Sequence, residues 1–218
     1  VLAIYRLLDS GLSRVFYLDL DAHHGDGVEA AFRDDPRVVT ISIHEQNRWP
    51  YTGVASEPAN RIWNFPVPRG FNSSELNFLI NEVILPIAEN FSPDVVVVTC
   101  GADGLAGDPL SSMELTNVSL WSAVEEIRAV SPRAIILGGG GYNPWTVIRC
   151  WAGLWGSLAG FDVLSPLTAS AIDLLGSLEC DLVDDEDINP CWLNSIADEM
   201  AESPIRSEIK NLAVLRAA

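Results

Sequence analysis

Two carboxylates and an imidazole stand at alternate positions in one short segment that directly follows an apolar run. The segment, residues 17–27 (YLDLDAHHGDG), contains Asp19, Asp21, His23, His24 and Asp26. Side chains two apart on an extended strand share a face, so Asp21 and His23 can bind one metal ion. The alternative is that these polar residues only cap a helix that begins near Gly25.

Two further segments carry candidate functional residues directly after apolar runs. Asp103 follows one run in CGADG, and Tyr142 follows another in GGGGY. With Asp103 as a third ligand, the site keeps open positions for water and a substrate oxygen, as catalytic zinc sites do. Fe²⁺ or Co²⁺ would suit the same ligands. The glycines let a substrate approach the main chain, and Tyr142 can direct its hydroxyl at a developing oxyanion. The alternative is an ordinary turn.

Four apolar runs must position these residues. Each run is apolar at nearly every position, which is typical of strands buried on both faces of a parallel sheet. The runs are residues 14–20, 37–43, 94–100 and 133–139. Because ligands bind beyond the carboxyl ends of parallel strands, the segments after these runs should converge on one crevice.

Helical patterns lie between most of the predicted strands. Asn72 and Glu75 have the spacing of a capping box, which opens a helix that continues to about Phe91. A second helix begins near Thr116. The apolar faces of the two helices contain Leu76, Ile80, Val83 and Ile87, and Leu120, Val124 and Ile127, respectively. Strands that alternate with helices predict an α/β fold with right-handed crossovers.

Composition bounds the class of protein. The 218 residues suit one domain, and 48% hydrophobic with 20% charged residues is typical of a globular chain. The formal charge of −17, from 30 acidic and 13 basic residues, argues against nucleic acid and is compatible with a cationic substrate. The cysteines form no CxxC pair, so we expect reduced thiols in a cytoplasmic protein. No signal peptide or membrane-spanning stretch is visible.

The first segment of the chain indicates that it starts inside a domain. The first residue is Val1, and residues 1–11 already have the pattern of a helix that ends at Gly11. We therefore expect the chain to be the later part of a longer domain.

Four segments carry a family resemblance: FYLDLDAHHGDGVEAAF, VVTISIHE, CGADGLAGDPL and LGGGGYNPWTVIRCW. Together they resemble the histone deacetylase superfamily, including its bacterial acetoin-utilisation and acetylpolyamine amidohydrolase members. The resemblance is collinear from residue 1 to about residue 160, and the residues beyond are less diagnostic. It implies the carboxy-terminal part of the three-layer arginase/deacetylase fold, with a mostly parallel sheet. It also implies hydrolysis of N-acetyl amides by a metal-activated water.

The resemblance implies roles for the residues of the candidate metal site. Asp21, His23 and Asp103 match the family's zinc ligands. Tyr142 matches the tyrosine that polarises the acetyl carbonyl beside the metal. The resemblance therefore assigns a catalytic zinc ion to the same three residues that the spacing brings together.

Four other positions match residues that surround the family's metal. Asp19 and Asp26 match the carboxylates that orient and tune two adjacent catalytic histidines. Trp49 and Gly140 are implied to contact the substrate. Trp49 falls where the family has an aromatic wall of the acyl-lysine tunnel, usually a phenylalanine, so the tunnel would be narrower or differently shaped here.

The resemblance also implies structural potassium sites. The first would be formed by Asp19, Asp21, His23, Ser42 and Ile43. The second would use backbone oxygens near Phe32, Asp35 and Val38.

Two glycines separate the chain from the arginase branch of the same fold. Dinuclear manganese sites in arginases need extra carboxylates at the positions of Gly25 and Gly101. Without those oxygens a second hard cation would be under-coordinated, so we expect one catalytic metal ion. The segment VASEPANRIW lacks the glycine-rich run of the eukaryotic nuclear enzymes, which favours a bacterial origin.

The family's general base is not among these residues. The family uses two adjacent histidines upstream of the first strand, and this chain contains only His23, His24 and His44. His23 is assigned to the metal, His24 is expected to face away from it, and His44 is expected to be structural. We therefore expect the intact protein to be a zinc-dependent deacetylase of acetyl-lysine or small acetylated amines, and this chain alone to be inactive. The alternative is a catalytically dead acyl-binding or regulatory module.

Overall fold

A five-stranded parallel sheet forms the centre of the protein. The structure is a computed structural model that describes residues 1–217, and for residues 215–217 it describes the backbone alone. The strands are β1 (Val15–Asp19), β2 (Val38–Glu45), β3 (Ile62–Val67), β4 (Val95–Cys100) and β5 (Ala134–Gly138). Every neighbouring pair is parallel, and the order β3-β2-β1-β4-β5 puts β1 in the middle.

Helices cover both faces of the sheet. They are α1 (Leu2–Asp9), α2 (Asp26–Phe32), α3 (Ser73–Leu79), α4 (Leu85–Phe91), α5 (Asn117–Ala129), α6 (Pro144–Leu158), α7 (Ala169–Gly176) and α8 (Ser207–Ala217). Residues of α1 and α2 share a buried cluster with one face of β1, and α3, α4, α5, α6 and α8 share a larger cluster with the other. The predicted three-layer α/β architecture is confirmed. Within residues 1–217, no helix combines the length and apolar character needed to cross a membrane.

The two predicted helices begin at their capping residues. Asn72 Oδ1 accepts a hydrogen bond from the Glu75 backbone at 3.1 Å, and Glu75 Oε2 accepts one from the Asn72 backbone at 3.3 Å. The helix reaches its predicted end, but a π-turn at Ile80–Ile84 divides it into α3 and α4. Pro86 lacks the N–H that a regular helix would use there, which accounts for the wider turn. α5 begins directly after Thr116, as predicted.

One of the four predicted strands is not buried on both faces. Nearly every residue of β1, β2 and β4 is buried, as predicted, whereas Ala134, Leu137 and Gly138 of β5 are exposed. Leu137 is 41% exposed. The prediction is wrong for β5 because this strand lies at the edge of the sheet. Among the described residues only β4 pairs with it, so its outer side has no neighbour.

The apolar runs did not indicate β3. This strand pairs in parallel with β2, and Pro66 stands within it. Proline cannot donate a ladder hydrogen bond, which is tolerated here because β3 is the other edge of the sheet. Its sequence mixes aromatic, polar and apolar residues, so a search for continuous apolar runs does not find it.

The segment after α6 packs against the rest of the protein through several contacts, two of which bear on the loops near the site. Arg206 donates a hydrogen bond to Glu75 Oε2 at 2.6 Å, and Glu75 is fully buried. The ring of Trp192 lies against Gly107, in the loop that follows β4. These last residues therefore support a loop at the carboxyl edge of the sheet.

Candidate metal centre and substrate cleft

Asp21, His23 and Asp103 come together at the carboxyl ends of β1 and β4. These strands are parallel neighbours, so the loops that follow them share one edge of the sheet. His23 Nδ1 lies 3.0 Å from Asp21 Oδ1 and 2.9 Å from Asp103 Oδ2. One potential ligand atom from each residue lies within 4.8 Å of the other two. Two carboxylates and one imidazole in this space fit a single divalent cation, including zinc.

Backbone amides hold the two carboxylates in place. Asp21 Oδ2 accepts a hydrogen bond from the Gly140 N–H at 2.6 Å, and Asp103 Oδ1 accepts one from the Ala22 N–H at 2.9 Å. Asp21 Oδ1 also accepts a hydrogen bond from the His23 N–H at 2.9 Å, so backbone amides of the strand-end loops anchor both aspartates. Such anchors fix the direction of ligand atoms before an ion binds.

The charge of the cluster also favours a cation. Hydrogen bonds to Asp103 and Asp21 raise the pKa of His23 to about 10. Burial raises the pKa of Asp103 to about 6. The two carboxylates thus favour a positive charge between them, which a proton on His23 supplies in the bare protein. Because a metal-binding imidazole must be deprotonated, a divalent ion would replace this proton.

The glycine run after β5 is required mainly for space. A Cβ on Gly139 would lie 2.7 Å from Asp21 Oδ2, and one on Gly140 would lie 2.1 Å from Asp103 Oδ2. Only Gly141 of the four has a left-handed backbone, with φ of 153°. Backbone freedom therefore explains Gly141, whereas close approach to the carboxylates explains Gly139 and Gly140.

Gly140→Ala is expected to weaken metal binding by about 10- to 100-fold, the range seen when groups that orient metal ligands are altered. The new Cβ would push the Asp103 carboxylate out of the cluster. Competition with a chromophoric chelator measures the affinity. Gly27→Ala is the matched control, because open space surrounds the new methyl group in α2. Equal affinities in the wild type and Gly140→Ala would contradict this account of the glycine run.

The two glycines that distinguish the chain from arginases also contact carboxylates. A Cβ on Gly25 would lie 2.4 Å from Asp19 Oδ2, and one on Gly101 would lie 2.6 Å from Asp21 Oδ2. A carboxylate side chain would fit at either position only if these aspartates moved. This crowding supports the expectation of one metal ion, which stays a prediction.

Two aromatic rings flank His23 at the mouth of the site. The centroid of the Trp49 ring lies 6.1 Å from that of His23, and the Tyr142 centroid lies 6.5 Å away. Trp49 is 65% exposed and Tyr142 is 39% exposed, so both rings are open to a substrate. Burial and the nearby carboxylates of Asp103 and Asp21 raise the pKa of Tyr142. Its hydroxyl therefore stays protonated near neutral pH and can donate a hydrogen bond.

Asp108 holds the loop that carries Tyr142, and the sequence analysis assigned it no role. Its Oδ2 accepts a hydrogen bond from the Tyr142 N–H at 2.7 Å, and its Oδ1 accepts one from the Leu110 N–H at 2.9 Å. The Asn143 side chain adds a bond of 2.9 Å to the Gly107 carbonyl. The loops after β4 and β5 are therefore fastened together beside Tyr142. The only sequence feature that could have indicated this role is that Asp108 lies five residues after Asp103.

Asp108→Ala is expected to lower kcat of any reaction that uses the Tyr142 hydroxyl by about 10- to 100-fold, because small displacements of a catalytic group have effects of this size. Asp108→Asn keeps one acceptor oxygen, so its kcat should lie between those of Asp108→Ala and the wild type. Steady-state kinetics on the acetyl-lysine substrate that the sequence resemblance implies make the comparison, with metal content measured in parallel. An Asp108→Ala enzyme with full kcat would show that Asp108 does not position Tyr142.

The structure separates the two aspartates that were predicted to support the catalytic histidines. Asp19 is buried, and it accepts hydrogen bonds from the Tyr17 hydroxyl at 2.5 Å and the Asp21 backbone at 3.0 Å. Burial raises its pKa to about 7. Asp26 is exposed in the first turn of α2, and its carboxylate has no hydrogen bond among the described residues. Their catalytic roles stay predictions.

The predicted potassium ligands lie in two places. Asp19 and Ser42 are direct partners across β1 and β2, and Ile43 follows Ser42. At the second place, the Phe32 and Asp35 carbonyls accept hydrogen bonds of 3.0 and 3.1 Å from the Asp35 and Val38 backbones. Both potassium sites stay predictions.

The other two histidines are engaged away from the metal cluster. His24 is buried, and its ring nitrogens contact Thr52 Oγ1 at 2.8 Å and Glu29 Oε2 at 3.0 Å. The nitrogens of His44 contact Ser42 Oγ at 2.9 Å and the Gly53 carbonyl at 3.1 Å. Burial lowers the pKa of His44 to about 4. Neither imidazole has a nitrogen free to act on a substrate.

The fold and the cluster together define an α/β protein with a candidate metal centre at the carboxyl edge of its sheet. Residues 1–158 match the family model described as the histone deacetylase domain. The chain belongs to the histone deacetylase family.

Curated relatives and solved structures agree with this assignment. Histone deacetylase HOS1 of Saccharomyces cerevisiae is 36% identical over 155 residues, which are 68% of this chain and 33% of that protein. Histone deacetylase 1 of Homo sapiens is 38% identical over 157 residues, 69% of this chain and 32% of that protein. The chain thus spans about a third of these relatives. Because both are eukaryotic, a bacterial origin and a link to acetoin utilisation stay predictions.

The structural likeness extends beyond the sequence match. The crystal structure of an HDAC homolog from Aquifex aeolicus superposes with a TM-score of 0.90 at 32% identity, covering 99% of this chain and 60% of that one. The crystal structure of an HDAC homolog complexed with SAHA gives a TM-score of 0.88 at 31% identity, with the same coverage. The predicted fold is confirmed.

Proposed function

We propose that the intact protein is a zinc-dependent deacetylase that hydrolyses N-acetyl amides of lysine side chains or small amines. The observation that supports this most directly is the convergence of Asp21, His23 and Asp103 beside the Tyr142 ring. Membership of the histone deacetylase family supports a deacetylase reaction. Fe²⁺ or Co²⁺ remain alternatives to zinc, because the ligand types suit all three ions.

The residues of the site divide the chemical tasks. A divalent ion, when bound, polarises a carbonyl and lowers the pKa of a water molecule. Asp21, His23 and Asp103 would hold that ion, and backbone amides keep the two carboxylates oriented. The Tyr142 hydroxyl donates a hydrogen bond to the acetyl oxygen as negative charge develops on it. In this proposal Trp49 and Gly140 contact the substrate at the mouth of the site, as the family resemblance implies.

Proton transfer is the task that these residues do not cover. Hydrolysis of an amide needs a base that takes a proton from water and an acid that protonates the leaving amine. His24 and His44 are engaged elsewhere, and His23 is a proposed ligand. We assign these proton transfers to two adjacent histidines in another part of the intact protein. Asp19 and Asp26 would orient these two imidazoles.

Because none of the three histidines of this chain is free to act as a base, a second candidate is an acyl-binding or regulatory module without catalysis. Acetate release by the metal-loaded intact protein separates the two candidates. The deacetylase releases one acetate for each acetyl-lysine consumed and loses activity when the metal is chelated. A regulatory module would bind the same peptide and release none. The proposal also includes a cytoplasmic location and the two structural potassium sites that the family resemblance implies.

A further inference from the structure

A cleft beside the proposed metal site has a charge that differs from that of the whole protein. Its volume is about 510 Å³, and its lining includes His23, Arg48, Trp49, Tyr51, Arg69 and Leu110. His23 belongs to both the cleft and the metal cluster, so a ligand can extend from one to the other. The chain carries a net charge of −17, yet two of its 13 basic residues line this cleft.

One of the two arginines is neutralised. Arg48 Nε donates a hydrogen bond to Glu45 Oε2 at 2.7 Å, and Arg48 Nη1 donates one to the Leu110 carbonyl. The Glu45 oxygen also accepts the Ser112 N–H at 2.8 Å. Glu45 is only 4% exposed, so its carboxylate interacts with Arg48 and Ser112 and not with a ligand in the cleft. The Arg48–Glu45 pair therefore contributes little net charge to the cleft.

The second arginine, Arg69, has no acidic partner among the described residues. Arg69 is exposed, and among the described residues its guanidinium has no hydrogen bond or ion pair. Arg69 therefore adds one positive charge that no described acidic side chain pairs with, next to two exposed aromatic rings, Trp49 and Tyr51. A guanidinium presents a planar fork of donors that matches a carboxylate. One positive charge suits a group that carries one negative charge.

We propose that this cleft binds a carboxylate of the substrate, with Arg69 as its partner. The inference rests on the proposed function, because it concerns the substrate that enters the same site. It specifies the substrate class as an acetylated lysine with a carboxylate nearby. Such a group is either an acidic side chain of a peptide or the free carboxylate of acetyl-lysine itself. The overall negative charge of the protein is compatible with a cationic substrate, whereas Arg69 in the cleft favours an anionic group.

The test measures binding and hydrolysis separately on the metal-loaded intact protein. Two amidated peptides carry acetyl-lysine flanked on both sides by Glu or by Gln, and a second pair is free acetyl-lysine and its amide. Binding is measured by calorimetry and hydrolysis by acetate release. Specificity is then a ratio of affinities within each pair. We expect at least one pair to show about tenfold tighter binding of the carboxylate form, as a charge-assisted hydrogen bond provides.

Three variants connect that ratio to Arg69. Arg69→Gln should bring the ratio to about one, and Arg69→Lys should keep part of it, because it retains the charge without the fork. Arg128→Gln is the matched control. It removes one exposed positive charge from α5 and should leave the ratio unchanged. A preference in the peptide pair identifies a side-chain carboxylate, and a preference in the other pair identifies the free amino acid.

The possible outcomes separate the cleft from the catalytic proposal. No carboxylate preference in either pair, or a preference that survives Arg69→Gln, overturns the inference even if every compound is hydrolysed. Binding preferences that depend on Arg69 without any acetate release support the inference and contradict the deacetylase.

Discussion

Tyr142→Phe is expected to lower kcat of the proposed deacetylase, in its intact form, by about 10²- to 10³-fold, the usual effect of removing one oxyanion donor. The phenol oxygen is the only atom lost, and the ring that flanks His23 remains. The hydroxyl should act on the charge that develops in the transition state, so kcat and kcat/KM should fall together while KM changes little. Steady-state kinetics on an acetyl-lysine peptide make the measurement.

The controls for this prediction are a distant tyrosine and the metal content. Tyr5→Phe removes a hydroxyl from the exposed side of α1 and should leave kcat unchanged. Metal content should match that of the wild type in both variants, because Tyr142 is not a proposed ligand. If Tyr142→Phe instead keeps full kcat and raises KM, the residue only positions the substrate.

The 218-residue chain alone is expected to be less active than an amino-terminally extended form by about 10²- to 10⁴-fold, the contribution of general acid–base catalysis. The extended form includes the two adjacent histidines that the family resemblance implies. In this chain both other imidazoles are already engaged: His24 by Thr52 and Glu29, and His44 by Ser42 and Gly53. Acetate release, measured at equal metal occupancy, compares the two forms.

Folding must be separated from catalysis in this comparison. Circular dichroism and metal titration show whether the shorter chain keeps its secondary structure and its metal affinity. His24→Gln in the shorter chain is the second control. Equal activity of the two forms, lost on His24→Gln, would mean that His24 is the base and that the assignment of proton transfer is wrong.

The sequence predicts those parts of the site that depend on strand periodicity. Asp21 and His23 share a face because they are two apart, and Asp103 joins them because β1 and β4 are parallel neighbours. Position after an apolar run was enough to identify all three. Tyr142 was found in the same way, since it follows β5.

Parts that depend on packing between distant segments were not predictable. Asp108 acts through backbone amides, which no side-chain pattern reveals. The glycine run suggested backbone freedom, and only the structure shows that Asp21 and Asp103 occupy the space next to Gly139 and Gly140. The exposure of β5 likewise depends on its place in the sheet, because its sequence is as apolar as that of the buried strands.

The metal content of Asp103→Ala tests the central claim most directly. After reconstitution with zinc and dialysis, the wild type should hold about one equivalent, as a three-residue catalytic site does. Asp103→Ala should hold less than about a tenth of that, because one carboxylate and one imidazole are too few ligands. Asp26→Ala, which removes an exposed carboxylate outside the cluster, should keep the full equivalent. A full equivalent of zinc in Asp103→Ala, measured by elemental analysis, would contradict the assignment of Asp21, His23 and Asp103 as the metal centre.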